Sequence, residues 1–132
     1  MNAHKIYKKV QKETQSGRSI EIAVLRKAAV QFRQVLAATD AATKNKLLDA
    51  AVHYNLRIWS IFQGDWERPE CSIEQPLRTD LLRLSLYVHK NSMEVLAYGD
   101  PEKIRTLTNI NECLAEGLVA GSKAPIPTLA PA

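Results

Sequence analysis

The chain has 132 residues, a formal net charge of +4 and 45% apolar residues. This length fits one domain with a single core, and no apolar run approaches the ~20 residues that a membrane-spanning helix needs. Glycine is sparse and the prolines fall between segments or near the C-terminus, which favours helices over a sheet. The first fifteen residues lack the apolar stretch of a secretory signal, so we expect a cytoplasmic protein with two free cysteines.

The first part of the chain predicts a short helix followed by a long one. A basic, weakly amphipathic segment covers about residues 4–15, and we interpret Ser16-Gly17 as a break after it. Ser19 is a suitable N-cap for the next helix. In that helix apolar residues recur at intervals of three and four up to about Ala38, which is the spacing of an amphipathic helix.

Three further helices have recognisable ends. Asp or Asn before an apolar-periodic segment favours a helix start, proline suits the first turn, and glycine favours a helix end. The predicted termini are an N-cap at Asp40 with a stop at Gly64, a start near Pro76 with a stop at Gly99, and an N-cap at Asp100 before Pro101. Residues 65–75 are predicted to form the loop between the third and fourth helices.

These segments together predict an all-α fold, a small antiparallel helical bundle of four main helices plus a short N-terminal helix. Residues 1–120 are expected to form one domain that binds its partner. Residues 121–132 contain three prolines and little apolar mass, so we expect them to form a disordered, proline-rich tail.

No residue cluster in the sequence indicates catalysis. A phosphotransfer domain is also a helical bundle, but neither His53 nor His89 is followed on the next turn by the glycine expected beside such a histidine. The histidines are not paired at the spacing of metal ligands, and no glycine-rich phosphate loop occurs. We therefore predict a binding protein rather than an enzyme, with no catalytic residue, no metal site and no cofactor.

Polar amides within apolar helical stripes mark the candidate site. Asn55 lies one turn before Trp59 on the same helical face, and Asn111 has a similar position in the last helix. Such an amide either specifies packing inside the protein or meets a bound partner, and Trp59 is either a core anchor or the floor of a partner groove. Tyr54 and Tyr87 are expected to be partly exposed and to contact a partner.

Three sequence blocks resemble the FlaF family of flagellar proteins. The blocks are Tyr54–Ser60, an aromatic-Asn-x-Arg-apolar-Trp-Ser run, then Leu84–Val88, then Ile110-Asn111 followed by Glu116–Leu118. Their order and spacing are similar to those of the family over most of the chain. Tyr54 and Tyr87 stand where tryptophan is common in the family, and the proline-rich tail has no family counterpart.

The resemblance implies a small cytoplasmic helical protein that acts as a flagellin-binding secretion chaperone and positive regulator of flagellin synthesis. Members work alongside a counterpart called FlbT, which restrains flagellin translation. We predict that an amphipathic terminal segment of flagellin lies in an open apolar groove of the bundle. The predicted contact residues are Tyr54, Asn55, Trp59, Tyr87 and Asn111.

The alternative is an RNA-binding regulator that acts on flagellin messenger RNA. Residues 1–46 carry ten Lys or Arg against three Asp or Glu, and such a basic segment suits an acidic protein surface or a nucleic acid. The same charges are also what an ordinary solvated helix face carries. No RNA-binding module is recognisable in the sequence, so flagellin is the first prediction.

Overall fold

The structure is a computed structural model that describes the backbone of residues 3–123 and the side chains of residues 18–121. The described chain consists of four helices and contains no strand, which confirms the predicted all-α bundle. The helices are α1 (Ala3–Ala37), α2 (Ala41–Glu67), α3 (Leu77–Tyr98) and α4 (Pro101–Lys123). Short connections join consecutive helices, so chain neighbours run antiparallel.

The helices pack around one apolar core to which all four contribute. Leu25 and Phe32 of α1, Val52 of α2, Val88 of α3 and Leu107 of α4 are fully buried members of this core. Among helices that pack side by side, α1 and α4 are in the most extensive contact, whereas α3 and α4 are in the least. The α3–α4 side is therefore where the described bundle is least closed.

The predicted helix termini agree with local hydrogen bonding at three places. Asp40 caps α2, because its carboxylate accepts hydrogen bonds from the amide and the hydroxyl of Thr43, both at 2.9 Å. Gly99 ends α3 in the left-handed conformation with φ 65°, which glycine adopts without a steric cost. The Asp100 side chain accepts a 3.0 Å hydrogen bond from the Glu102 amide at the start of α4.

The predicted break at Ser16-Gly17 is wrong, because α1 is one continuous helix from Ala3 to Ala37. Ser19 is therefore an interior residue of α1 and not an N-cap. A glycine inside a helix costs only about 1 kcal/mol relative to alanine. A single glycine therefore weakens a helix without ending it when residues on both sides favour the helical conformation.

The predicted stop at Gly64 is also wrong, since α2 continues to Glu67. The reason is Trp66, which is buried and stacks on Phe62 with ring centroids 5.8 Å apart. Burial of a large aromatic side chain contributes about 2–3 kcal/mol, which outweighs the cost of one interior glycine. The connection to α3 is accordingly shorter than the predicted loop over residues 65–75.

The last helix, α4, ends at a later residue than predicted. α4 extends to Lys123, and Gly121 is buried, so the first three residues of the expected tail belong to the helix. Residues 124–132 lie outside the described residues, and the prediction of a disordered proline-rich tail stays a prediction for them.

Candidate functional site

A chain of hydrogen bonds between buried side chains crosses the core and contains three of the predicted site residues. The indole nitrogen of Trp59 donates to the Asn111 carbonyl oxygen at 2.8 Å, and the Asn111 amide donates to the Asn55 carbonyl oxygen at 2.8 Å. The Asn55 amide in turn lies 3.4 Å from the hydroxyl oxygen of Ser92. All four residues are at most 3% exposed. The network therefore joins α2, α3 and α4 with bonded polar groups, as buried amides require.

Aromatic rings continue from this network along α2 toward the end of the bundle. Trp59 makes edge-to-face contacts with Phe62 and with Trp66, both with ring centroids 6.0 Å apart. Edge-to-face and offset-stacked pairs stabilise by roughly 0.5–1.5 kcal/mol beyond the area they bury. Phe62 and Trp66 are thereby held rigidly where α2 approaches its C-terminus.

A cleft opens next to these rings at the end of the bundle. Its volume is about 450 Å³, and residues of all four helices and of the α2–α3 connection border it. The volume falls within the roughly 300–1,000 Å³ of typical ligand sites. Its largest apolar side chains are Phe62, Trp66, Ile73, Leu77, Leu81, Leu114 and Leu118. This arrangement suits an apolar guest.

Charged side chains surround the mouth of the cleft. Arg18 and Glu21 approach from α1, and Asp65, Arg68 and Glu70 from the end of α2 and the following connection. Arg68 lies 3.9 Å from the carboxylates of both Asp65 and Glu70. Burial raises the pKa of the Glu21 carboxyl above its usual value, Arg18 opposes this rise, and Asp65 adds to it. The mouth thus holds a half-buried carboxylate whose charged form is disfavoured by burial more than Arg18 stabilises it.

Tyr54 and Tyr87 lie on two other parts of the surface, and neither borders the cleft. Tyr54 is half-buried between α1 and α2, where the Lys27 ammonium lies 5.0 Å from its ring centroid. Burial raises the pKa of the Tyr54 hydroxyl. Tyr87 projects from α3 and is 48% exposed. The five predicted site residues therefore divide into three inside the core and two at separate places on the surface.

The sequence interpretation missed Trp66, which borders the cleft, because Gly64 was taken as the end of the helix. A signal was present, since Trp66 follows Phe62 by four residues and Trp59 by seven, which is the spacing of one helical face. Leu81, Leu114 and Leu118 belong to apolar stripes with helical spacing in α3 and α4. Nothing local indicates that these three side chains border one common cleft.

The described residues contain no group of three or more His, Cys, Asp or Glu side chains that could hold a metal ion. Across the same part of the chain, none of the helices is both long enough and apolar enough to cross a bilayer. The geometry that stands out is therefore the cleft, together with the rigid aromatic floor beneath it.

The fold and the cleft define the class of this protein as a small helical bundle with an open apolar cleft. Within that class, the family described as "Flagellar protein FlaF" matches residues 3–118. The chain belongs to this family, as its resemblance predicted, and FlaF is a family of flagellar proteins. No curated protein and no solved structure matches the chain.

Proposed function

We propose that this chain binds flagellin in the cytoplasm as a secretion chaperone and positive regulator of flagellin synthesis. We further propose that the cleft receives an amphipathic terminal segment of flagellin. The observation that carries the proposal is the apolar cleft with its floor of Phe62 and Trp66. Helix-in-groove recognition uses such a surface, with client side chains at positions i, i+3, i+4 and i+7 as anchors.

A helix that binds in the cleft can continue out of it along α3. Leu77 and Leu81 of α3 border it on one side, and Leu114 and Leu118 of α4 on the other. Among helices that pack side by side, these two are in the least extensive contact. Tyr87 lies ten residues after Leu77 on α3, which is about 15 Å along the helix axis. A client helix that extends from the cleft along α3 therefore reaches Tyr87.

The buried network supports this site without touching the client. Asn55, Trp59 and Asn111 hold α2, α3 and α4 together directly behind the aromatic floor. Their predicted contact with flagellin becomes, in this proposal, a positioning role, because all three are almost fully buried. Binding of flagellin then keeps its apolar segment covered by mass action until export. A functional link to FlbT, which the resemblance implies, stays a prediction.

The proposal is tested with purified full-length chain and flagellin, with and without the flagellin C-terminal segment, by calorimetric titration. Leu77→Ser and Leu118→Ser each remove a half-buried apolar side chain from the cleft. We expect flagellin binding to weaken about tenfold, which corresponds to roughly 1.4 kcal/mol. Binding should be accompanied by a negative heat-capacity change.

Ile61→Ser is the matched control, because Ile61 is 59% exposed, lies on α2 and does not border the cleft. This variant should bind flagellin as the unmodified chain does. If Leu77→Ser and Leu118→Ser bind flagellin with unchanged affinity, the cleft is not the flagellin site. If the unmodified chain does not bind flagellin at all, the chaperone function itself is wrong.

RNA binding is the second candidate, and the observation in its favour is the basic composition of residues 1–46. Two of the basic side chains described on α1 already have partners within the protein, since Arg33 pairs with Glu112 and Lys27 lies over the Tyr54 ring. Affinity for flagellin messenger RNA that falls steeply with salt would support this alternative. Binding of flagellin that tolerates salt would support the cleft.

A further inference from the structure

α3 carries an unusual share of the exposed apolar surface. Among the described residues, seven large apolar side chains are strongly exposed, and four of these lie on α3. The four are Leu86, Tyr87, Met93 and Tyr98, with exposed fractions from 47% to 84%. Single exposed apolar side chains are normal, whereas a contiguous apolar patch indicates an interaction surface. Of these four, Leu86 and Met93 are seven residues apart and lie on the same face of α3.

Residues on one edge of α3, four of them apolar and the central one His89, follow the heptad pattern of a helix that packs against another helix. The intervals between successive members are four, three, four and three residues, as between the a and d positions of a coiled coil. We define the α3 seam as Leu82, Leu86, His89, Met93 and Leu96. Leu82 and Leu96 pack partly on the core, whereas the three residues between them are exposed. The seam is about 21 Å long.

Basic residues accompany the seam at regular spacing. Arg83 and Lys90 are both exposed, are seven residues apart, and each directly follows a d position. This is the e position of the heptad, where charges select the partner in coiled coils. The one carboxylate of α3 within residues 82–96 belongs to Glu94, and it accepts a hydrogen bond from Lys103 of α4. Glu94 also interacts electrostatically with Lys90, so this carboxylate is shared between two lysines. Together with Arg83, the line beside the seam keeps a net positive charge.

The charge of this surface decides which occupant it suits. A second copy of the chain in a two-fold arrangement would bring the same patch against itself. Arg83 and Lys90 would then face like charges, which is unfavourable. A helix with Glu or Asp beside its apolar stripe places opposite charges along the same line. We propose that the α3 seam docks an acidic amphipathic helix of a second protein, at a place separate from the cleft.

This inference does not depend on what the cleft binds. No member of the seam and neither basic residue borders the cleft. The chain would thus have two surfaces, one that encloses apolar side chains at the end of the bundle and one that pairs with a helix along α3. A protein with this arrangement can bind two partners at once. Simultaneous binding couples one partner to the regulation of the other.

The experiment uses the full chain and two synthetic amphipathic helical peptides with Leu and Ile at the a and d positions. One peptide carries Glu at its e and g positions and the other carries Lys, and fluorescence anisotropy measures their binding. We expect the acidic peptide to bind about tenfold or more tightly than the basic peptide. The double variant Leu86→Ser/Met93→Ser should lose this binding, and Arg83→Glu/Lys90→Glu should reverse the preference between the peptides.

Ile61→Ser is the matched control, because Ile61 is 59% exposed but lies on α2, outside the seam. It should leave binding of the acidic peptide unchanged, and circular dichroism melts should show that all variants remain folded. Equal binding of both peptides would overturn the proposal. So would preferential binding of phosphatidylglycerol vesicles that depends on Leu86 and Met93, or self-association that the Leu86→Ser/Met93→Ser variant abolishes.

Discussion

Asn111 is the central residue of the buried network, because it accepts from the Trp59 indole and donates to Asn55. An amide in the core is costly unless its donors and acceptors are bonded. Here the bonds exist only when α4 is in one register against α2, since a shift by one residue would move Asn111 to another face of its helix. The amide therefore selects one arrangement of the bundle, as buried polar side chains do in some helical assemblies.

Asn111→Ala should destabilise the fold by about 3 kcal/mol, because it leaves the Trp59 N–H and the Asn55 carbonyl unpaired at roughly 1–3 kcal/mol each. Urea unfolding measures the effect. Asn109→Ala is the control, since Asn109 is an exposed asparagine on the same helix, and its loss should change stability by less than about 0.5 kcal/mol. Equal effects of the two variants would contradict a structural role for the network.

Glu21→Gln should raise the melting temperature at neutral pH. Burial raises the pKa of Glu21 in the folded chain, so the folded state holds this proton more tightly than the unfolded state does. The stabilising contribution of the protonated form is complete below the unfolded pKa of about 4.3 and is lost as pH rises through the folded pKa. Glutamine resembles the protonated form, so variant and unmodified chain should converge in acid.

Thermal melts across this pH range test the expectation. Glu116→Gln provides a comparison, because Glu116 is an exposed glutamate of α4 away from the cleft mouth. A Glu21→Gln variant that is less stable than the unmodified chain at neutral pH would show that the Glu21 carboxylate is favourably paired.

At the scale of elements, α2 and α3 show when a glycine ends a helix. Gly64 lies inside α2, and a methyl group added there would meet no atom within 4 Å. Gly99 follows α3 with φ 65°, a conformation that costs other residues roughly 1–2 kcal/mol. The two glycines are alike in sequence context, since each follows an apolar helical stripe. Burial of Trp66 continues α2 past Gly64, whereas the chain turns at Gly99 to begin α4.

Substitution of glycine by alanine should therefore have opposite effects on stability at residues 64 and 99. Gly64→Ala should stabilise the fold by about 0.5–1 kcal/mol, because alanine favours the helix and nothing obstructs its side chain. Gly99→Ala should destabilise by about 1 kcal/mol, because alanine resists positive φ. Urea midpoints of the two variants measured side by side give the result, and a shift of the same sign in both would contradict the explanation.

At the scale of the whole molecule, the hydrogen-bonded network of Asn55, Trp59 and Asn111 is buried in the core. Two apolar surfaces are accessible to solvent. The cleft lies where all four helices meet the α2–α3 connection, and the α3 seam lies along one helix. Tyr87 is on the same helix and is partly exposed. Its predicted contact with flagellin requires that the bound segment extends from the cleft along α3.

Tyr87→Ala should weaken flagellin binding and leave thermal stability nearly unchanged, because half of the side chain is already in water and surface substitutions rarely exceed about 0.5 kcal/mol. Calorimetric titration and a thermal melt of the same preparation give both quantities. Unchanged affinity would show that bound flagellin does not extend from the cleft to Tyr87. A large fall in melting temperature would show instead that the ring contributes to the packing of α3.

Much of the fold was predictable because its signals are local. A carboxylate at Asp40 or Asp100 bonds an amide two or three residues away, and the φ angle of Gly99 concerns one residue. Apolar spacing of three and four then determines which face of each helix is buried. The local sequence also indicated the family. The Tyr54–Ser60 block, which resembles the family, lies within α2, and the family match covers residues 3–118.

The tertiary structure alone decided which partners the buried polar residues bond and where an apolar cleft opens. Asn55 meets Ser92 and Asn111 across 37 and 56 residues of chain, and no local rule identifies such partners. Likewise, α2 continues through Gly64 because Trp66, two residues later, is buried. Hydrogen bonds within a helix turn depend on neighbours in sequence, whereas burial depends on which helices approach each other, and a cleft exists only where four of them leave a space unfilled.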